Sequence, residues 1–289
     1  MAIKKTFPQA EIVWAVDRRF AGIPQLCRSI DQVFVPPKEK QNLKSAIRAL
    51  GEFDYGLDLQ GLAKSASLIA MASCQKRLGY HWQREGAWLV SQPVLPDPTS
   101  IHVVDQYVDV ARAMGAECHR AEFDLVPDPA DIQSVQEKLI SAGWDCRSPL
   151  VLLNAGAGWA TKRWPAKNFA HVAHTVHSAG GKVAFLGTEA DRAAFEEVSA
   201  FEPGPVIDFL GKSSVRELVA LISLSAVHLA GDTGSTHIAA ALGQPAIGTY
   251  TITRPERSCP YGQIQNCDTN LERVTEMVVS HLTEKSHDF

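Results

Sequence analysis

The chain has 289 residues, 45% of them hydrophobic, with a formal net charge of -4 and a pI near 6.2. That length fills two domains of ordinary size, the charge leaves no basic excess for nucleic acid, and no run approaches the roughly 20 apolar residues of a membrane span. The six cysteines are scattered without a C-x-x-C or a zinc-spaced histidine, and the first residues lack an apolar leader, so the sequence reads as a cytoplasmic protein with reduced thiols.

Short β-branched runs alternate with amphipathic ones along the whole chain, the pattern of βαβ units and parallel sheets. Met1 to Phe7 read as the tail of a helix leading into Pro8. Strands are expected at Glu11–Asp17, Gln32–Pro36, Tyr55–Gln60 and Arg77–Trp82, and helices at Gln41–Leu50 and Val104–Met114. A doubly wound domain opens with a buried strand and a glycine turn. Neither precedes Glu11, so the reading expects a strand upstream and exposed sheet edges without it. Asp58-Leu-Gln-Gly-Leu-Ala-Lys-Ser65 ends a strand and enters a helix; Asp58, Gln60 and Lys64 gather there as a candidate acceptor-side group. Lys38, Lys40, Lys44 and Arg48 read as a solvated helix face, while Arg18, Arg19, Trp82, Arg84 and Trp88 are candidates to line a cleft.

A proline-rich stretch near Pro127–Asp131 and a connecting helix at Ile132–Ala142 precede a second series. Its strands are Leu150–Asn154, Lys182–Gly187, Val206–Asp208, Val227–Ala230 and Ala246–Tyr250; its helices lie near Ala166–Ser178, Val215–Leu224 and Thr236–Leu242, with a terminal helix at Asn270–Thr283. The expected domains are 1–148, 149–267 and a closing helix in 268–289.

Two strand-to-helix turns in this half carry chemistry. Asn154-Ala-Gly-Ala-Gly-Trp-Ala-Thr-Lys-Arg-Trp-Pro165 combines small residues, which let backbone N–H groups approach an anion, with the Lys162 cation. It matches neither G-x-G-x-x-G nor the P-loop; a plain glycine turn with Pro165 opening the helix is the competing reading. Ala230-Gly-Asp-Thr-Gly-Ser-Thr-His237 offers the amides of Thr233 and Gly234 at a helix N-terminus, with Asp232 as a cap and His237 in the first turn. Ser213-Ser-Val-Arg-Glu217 fits a capping box on Ser214, and the Glu217 carboxylate suits a ribose diol equally well. His171, His174 and His177 fan around one helix without an acidic partner, which argues against a metal site.

With these turns in view, the chain resembles glycosyltransferase family 9, within it the lipopolysaccharide heptosyltransferase I type. The resemblance runs from Phe7–Asp17 through Asp58–Ser65 and Gly79-Tyr-His-Trp-Gln83 to the Lys162 loop, the Asp232-Thr-Gly segment and Pro260-Tyr-Gly262. It implies a GT-B fold of two Rossmann-like doubly wound domains facing a cleft, the first one N-terminally truncated. It also implies an inverting, metal-independent enzyme with no cofactor, transferring heptose from ADP-heptose to the Kdo region of a lipid A precursor at the inner membrane face. By the resemblance Lys162, with Thr161 beside it, holds the diphosphate, Glu217 the ribose, Thr233 and Gly234 the phosphates, and Asp232 the sugar, with His237 supporting it. The family's catalytic base lies in a Ser-x-Gly-Asp loop before the point where this sequence starts, which leaves Asp58 as a substitute. A positioned base contributes about 10²–10⁴-fold, so the competing function is an impaired nucleotide-sugar-binding homologue. A GT-B sugar-nucleotide epimerase is the remaining alternative.

Overall fold

A computed structural model describes residues 1–156, 163–201 and 204–285. The chain divides into two compact units, Met1–Asp124 and Leu125–Phe289.

The first unit holds α1 (Ala2–Thr6), β1 (Val13–Ala15), β2 (Gln32–Phe34), α2 (Lys40–Arg48), β3 (Glu52–Asp58), α3 (Ala63–Met71), β4 (Ser73–Tyr80), β5 (Gln92–Val94) and α4 (Val103–Arg112). Its strands form two separate parallel sheets, β1–β2 and β3–β4–β5. β4 is longer than the sequence suggests, because Ser73–Lys76 pair with β3 although polar. β5 carries Pro93, which cannot donate to a ladder, and it lies at a sheet edge where that loss is tolerated.

The second unit holds α5 (Pro129–Ser141), β6 (Leu150–Asn154), α6 (Ala166–Ser178), β7 (Lys182–Phe185), α7 (Arg192–Phe201), β8 (Val206–Asp208), α8 (Val215–Leu224), β9 (Val227–Ala230), α9 (Gly234–Ala241), β10 (Ala246–Gly248), α10 (Pro255–Ser258) and α11 (Leu271–Lys285). The sequence reading places α5 in the first domain; in the structure it belongs to the second unit and packs on α8. Its start is fixed by Asp128, whose carboxylate accepts from the Ala130 amide, and by Pro129 in the first turn, where no N–H is needed.

One parallel sheet organises this unit, in the order β10-β9-β6-β7-β8. Every residue of β6 and β9 is buried, as expected of strands covered on both faces. Val151 and Leu153, with Val183, Phe185, Val227, Leu229 and Ile247, pack against Phe169, Val172 and Val176 of α6, Val198 of α7 and Val274, Val278 and Leu282 of α11. The opposite face is covered by α8 and α9, with α5 on α8. Chain order therefore runs outward from β6 to β8, then returns to β9 and continues to β10. The reversal falls between β6 and β9. In open α/β sheets ligands bind outside the carboxyl ends of the strands at such a switch point.

Candidate functional site at the switch point

Both chemistry-bearing turns leave the sheet at this reversal, the first after β6 and the second after β9, whose last residues Asn154 and Ala230 are register partners. In the first turn, Asn154 Oδ1 accepts from the Gly156 amide at 3.0 Å. A Cβ on Gly156 would lie 2.5 Å from Asp191 Oδ1, so a side chain here would have to push the Asp191 carboxylate aside. Asp191 in turn accepts from the Thr188 amide and hydroxyl at 2.9 and 3.0 Å. Nothing in the sequence links Asp191 to Gly156; their proximity comes from β7 lying beside β6.

Lys162 and Thr161 lie outside the described residues. Where description resumes, Trp164 is 4% exposed, stacks edge-on against Phe169 with centroids 5.2 Å apart, and donates through Nε1 to the Thr269 carbonyl at 3.0 Å. Pro165 occupies the capping position, one residue before the helix rather than inside it.

In the second turn, α9 begins at Gly234, two residues earlier than its apolar spacing indicates, and Thr233 rather than Asp232 is the capping residue. The Thr233 side chain makes no capping bond. The first-turn amides are consequently not all consumed by side chains, and an anion there would meet both N–H groups and the positive end of the helix dipole. A Cβ on Gly234 would meet no atom within 4 Å. Asp232, Thr233 and His237 are half-buried. The negative charge of Asp232, after burial itself, holds the Tyr250 phenol proton on more tightly than usual.

Beneath the turn lies His228, fully buried in β9. Burial of its imidazole pushes the pKa from the usual 6.5 down to about 4, against a smaller opposing effect of the Leu152 backbone. The consequence for stability has a definite sign. Above about pH 6.5 the ring is neutral in both folded and unfolded chains and contributes nothing to the pH dependence. Between 6.5 and 4 the unfolded chain takes up a proton that the folded one refuses, so stability falls with pH, by about 3 kcal/mol at the lower end. Urea unfolding at pH 7 and pH 4.5 should show this loss, and His228→Gln should remove most of it; an unchanged pH slope in the variant would refute the assignment.

Glu217 forms the capping box read from the sequence: its Oε2 accepts from the Ser214 amide at 2.8 Å, and Ser214 Oγ accepts from the Glu217 amide at 3.2 Å. Its Oε1 accepts from Ser134 at 2.8 Å and Lys138 at 2.5 Å, both on α5. Burial alone would raise the carboxyl pKa, but Lys138 and these hydrogen bonds outweigh it and hold it at about 2. Oε1 thus joins α5 to α8, while Oε2 caps α8 itself.

In the first unit, the Asp58 side chain closes the β3–α3 turn, with Oδ1 accepting from the Gln60 and Gly61 amides at 3.1 and 2.9 Å. Asp58 is 1% exposed and its Oδ2 has no partner. Gln60 and Lys64 are exposed, and Lys64 Nζ reaches Asp17 at 3.3 Å instead of Asp58. Trp82 and Trp88 are exposed, with the Arg84 guanidinium over the Trp82 ring. His171 and His174 stand on the solvent face of α6.

A parallel sheet whose strand order reverses between β6 and β9 places the ends of both strands where open α/β sheets bind ligands. The family model for glycosyltransferase family 9 (heptosyltransferase) matches residues 42–285, and the chain belongs to that family; it is a glycosyltransferase. It is 26% identical over 274 residues to the lipopolysaccharide core heptosyltransferase OpsX of Haemophilus influenzae, covering 91% of this chain and 77% of the relative. A glycosyltransferase family 9 structure from Veillonella parvula superposes with a TM-score of 0.86 at 19% identity, over 98% of this chain and 91% of that one. Escherichia coli heptosyltransferase WaaC with ADP superposes at 0.73 and 19% identity, over 99% and 93%. The fold is the GT-B type that the resemblance implies.

Proposed function

We propose that the chain transfers heptose from ADP-heptose to the Kdo-bearing inner core of a lipopolysaccharide precursor, with inversion and without a metal ion. The observation that carries this reading is the placement of both turns at the β6/β9 switch point, in a member of the heptosyltransferase family. Similar proteins support the substrate: OpsX is a lipopolysaccharide core heptosyltransferase, and WaaC holds ADP.

In this proposal the amides of Thr233 and Gly234 bind the pyrophosphate, Asp232 contacts the heptose, and His237 donates to a sugar or phosphate oxygen. Lys162, flanked by Thr161, supplies the cation from the turn after β6. A lysine and a helix N-terminus together stabilise the charge that develops on the departing ADP, the part a divalent ion plays elsewhere. Glu217 is proposed for the ribose: Oε1 holds Ser134 and Lys138, and Oε2, which accepts from the Ser214 amide, has a further acceptor site for a sugar hydroxyl. Asp58, Gln60 and Lys64 are proposed for the acceptor side. For Asp58 the support is its partnerless Oδ2, which lacks a hydrogen-bond donor such as a sugar hydroxyl. No helix among the described residues is long and apolar enough to cross a membrane, and we place the enzyme at the cytoplasmic membrane surface as a peripheral protein.

Mass spectrometry of the full chain incubated with ADP-heptose and a Kdo-lipid A acceptor, with and without EDTA, tests the reading. Heptosylated product that is insensitive to EDTA supports it. ADP-heptose binding without product would reduce the chain to a nucleotide-sugar binder, and absence of both would overturn the proposal.

A further inference from the structure

The second turn rests on a chain of side-chain hydrogen bonds whose direction can be worked out. His228 Nε2 lies 3.0 Å from Ser235 Oγ, which receives Asn154 Nδ2 at 3.0 Å and lies 2.9 Å from Thr233 Oγ1. Thr233 Oγ1 lies 3.2 Å from Thr236 Oγ1, and Thr236 donates to the Gly231 carbonyl at 2.8 Å. A hydroxyl has one proton to give. The carbonyl can only accept, so the Thr236 proton is spent there and Thr233 must supply the proton it shares with Thr236. Thr233 then accepts from Ser235. Ser235, its own proton committed, accepts from His228. The imidazole is therefore the Nε2–H tautomer, leaving Nδ1 as the bare nitrogen, the atom that has no hydrogen-bond partner.

Four members of this network, His228, Ser235, Thr236 and Asn154, are buried, and only Thr233 is half-exposed. Its link to Thr236 is the longest of the set. An anionic oxygen at the helix N-terminus accepts a shorter and stronger hydrogen bond than a neutral hydroxyl does. Such an oxygen takes the Thr233 proton while Ser235 continues to donate to Thr233 from behind.

We propose that the chain His228→Ser235→Thr233 fixes the Thr233 hydroxyl as a donor to a diphosphate oxygen of the sugar nucleotide, making His228 and Ser235 positioning residues for the transfer reaction. This rests on the reading that the Asp232–Gly234 segment holds the diphosphate. Without Ser235, Thr233 loses the donor that occupies its oxygen and leaves its own proton to be given to the ligand. Asn154 adds a brace: it joins the same serine to the turn after β6, so both loops share one anchor.

The test is a double-mutant cycle on ADP affinity, measured by calorimetry with the full chain. Thr233→Val and Ser235→Ala should each weaken ADP about tenfold, and the double variant should be no weaker than either alone, because both remove one directed donor. His228→Gln retains an N–H near the Nε2 position and should bind ADP within about threefold of the parent, whereas His228→Leu should match Ser235→Ala. Additive losses, or a Ser235→Ala protein with parental ADP affinity, would overturn the relay. If Ser235→Ala does not fold, the two His228 variants decide: equal affinities in Gln and Leu also overturn it. Parental ADP affinity in Thr233→Val and Gly234→Ala together would instead remove the donor-site reading underneath.

Discussion

Replacing Gly234 with alanine is expected to lower ADP affinity at least tenfold while leaving the unfolding midpoint of the full chain unchanged or slightly higher. The two halves of this result have separate causes. Gly234 opens α9 without a left-handed backbone, and its added methyl would meet no protein atom within 4 Å. Alanine in a helix is favoured over glycine by about 0.5–1 kcal/mol in interior positions and less in the first turn. Folding therefore gains a little or nothing. A phosphate oxygen bound to the Gly234 amide, however, needs the space beside that Cα. A methyl there forces it away from the N–H groups, and losing one hydrogen bond to a charged group costs about 1.5–3 kcal/mol, at least a tenfold change in Kd. Calorimetry and thermal unfolding on the same protein would show the split. Loss of stability in parallel with binding, or retention of both, would contradict a ligand at this position.

Trp164→Ala should destabilise the chain by about 3–5 kcal/mol, the cost of removing a buried indole from a packed core. Trp164 has three attachments: its burial against the sheet, its edge-on contact with Phe169 and its bond to the Thr269 carbonyl just before α11. It thereby links the end of the Lys162 turn to the closing helix. Trp164→Phe retains most of the apolar contact and leaves the carbonyl unpaired, so its cost should be about 1 kcal/mol. Urea unfolding of both variants separates packing from the hydrogen bond. Similar losses in the two would mean that the bond, not the burial, anchors the turn.

The elements legible in the sequence are those whose burial is regular. β6 and β9, together with α6 and α8, have the bounds that their apolar pattern indicates, because strands covered on both faces and helices with a broad apolar stripe leave little ambiguity. The sequence reading misses α7, whose buried side is only Ala194 and Val198 while Phe201 at its end is exposed. It misses β5 for its proline, and it starts α9 late because Gly-Ser-Thr reads as turn chemistry.

The candidate site divides in the same way. Asp232, Thr233, Gly234 and His237 announce themselves by composition and by their place between a strand and a helix. Asn154, His228 and Ser235 do not, because the bond from Asn154 to Ser235 spans 81 positions and exists only because β6 pairs with β9. Asp191 is hidden for the same reason: only the β6–β7 pairing carries its loop to Gly156. Chain order here is far from spatial order. Glu217 shows the reverse effect: the local pattern gave the capping box, and the long-range partners Ser134 and Lys138 emerged only with α5 packed on α8.

The claim on which the rest depends is that the pyrophosphate of the sugar donor sits on the first turn of α9. Hydrogen–deuterium exchange of the full chain with and without saturating ADP tests it directly. ADP should slow exchange at the amides of Thr233 to Thr236 and in the peptide that contains Lys162. Slowed exchange confined to other segments, with the α9 turn unchanged by ADP, would contradict it.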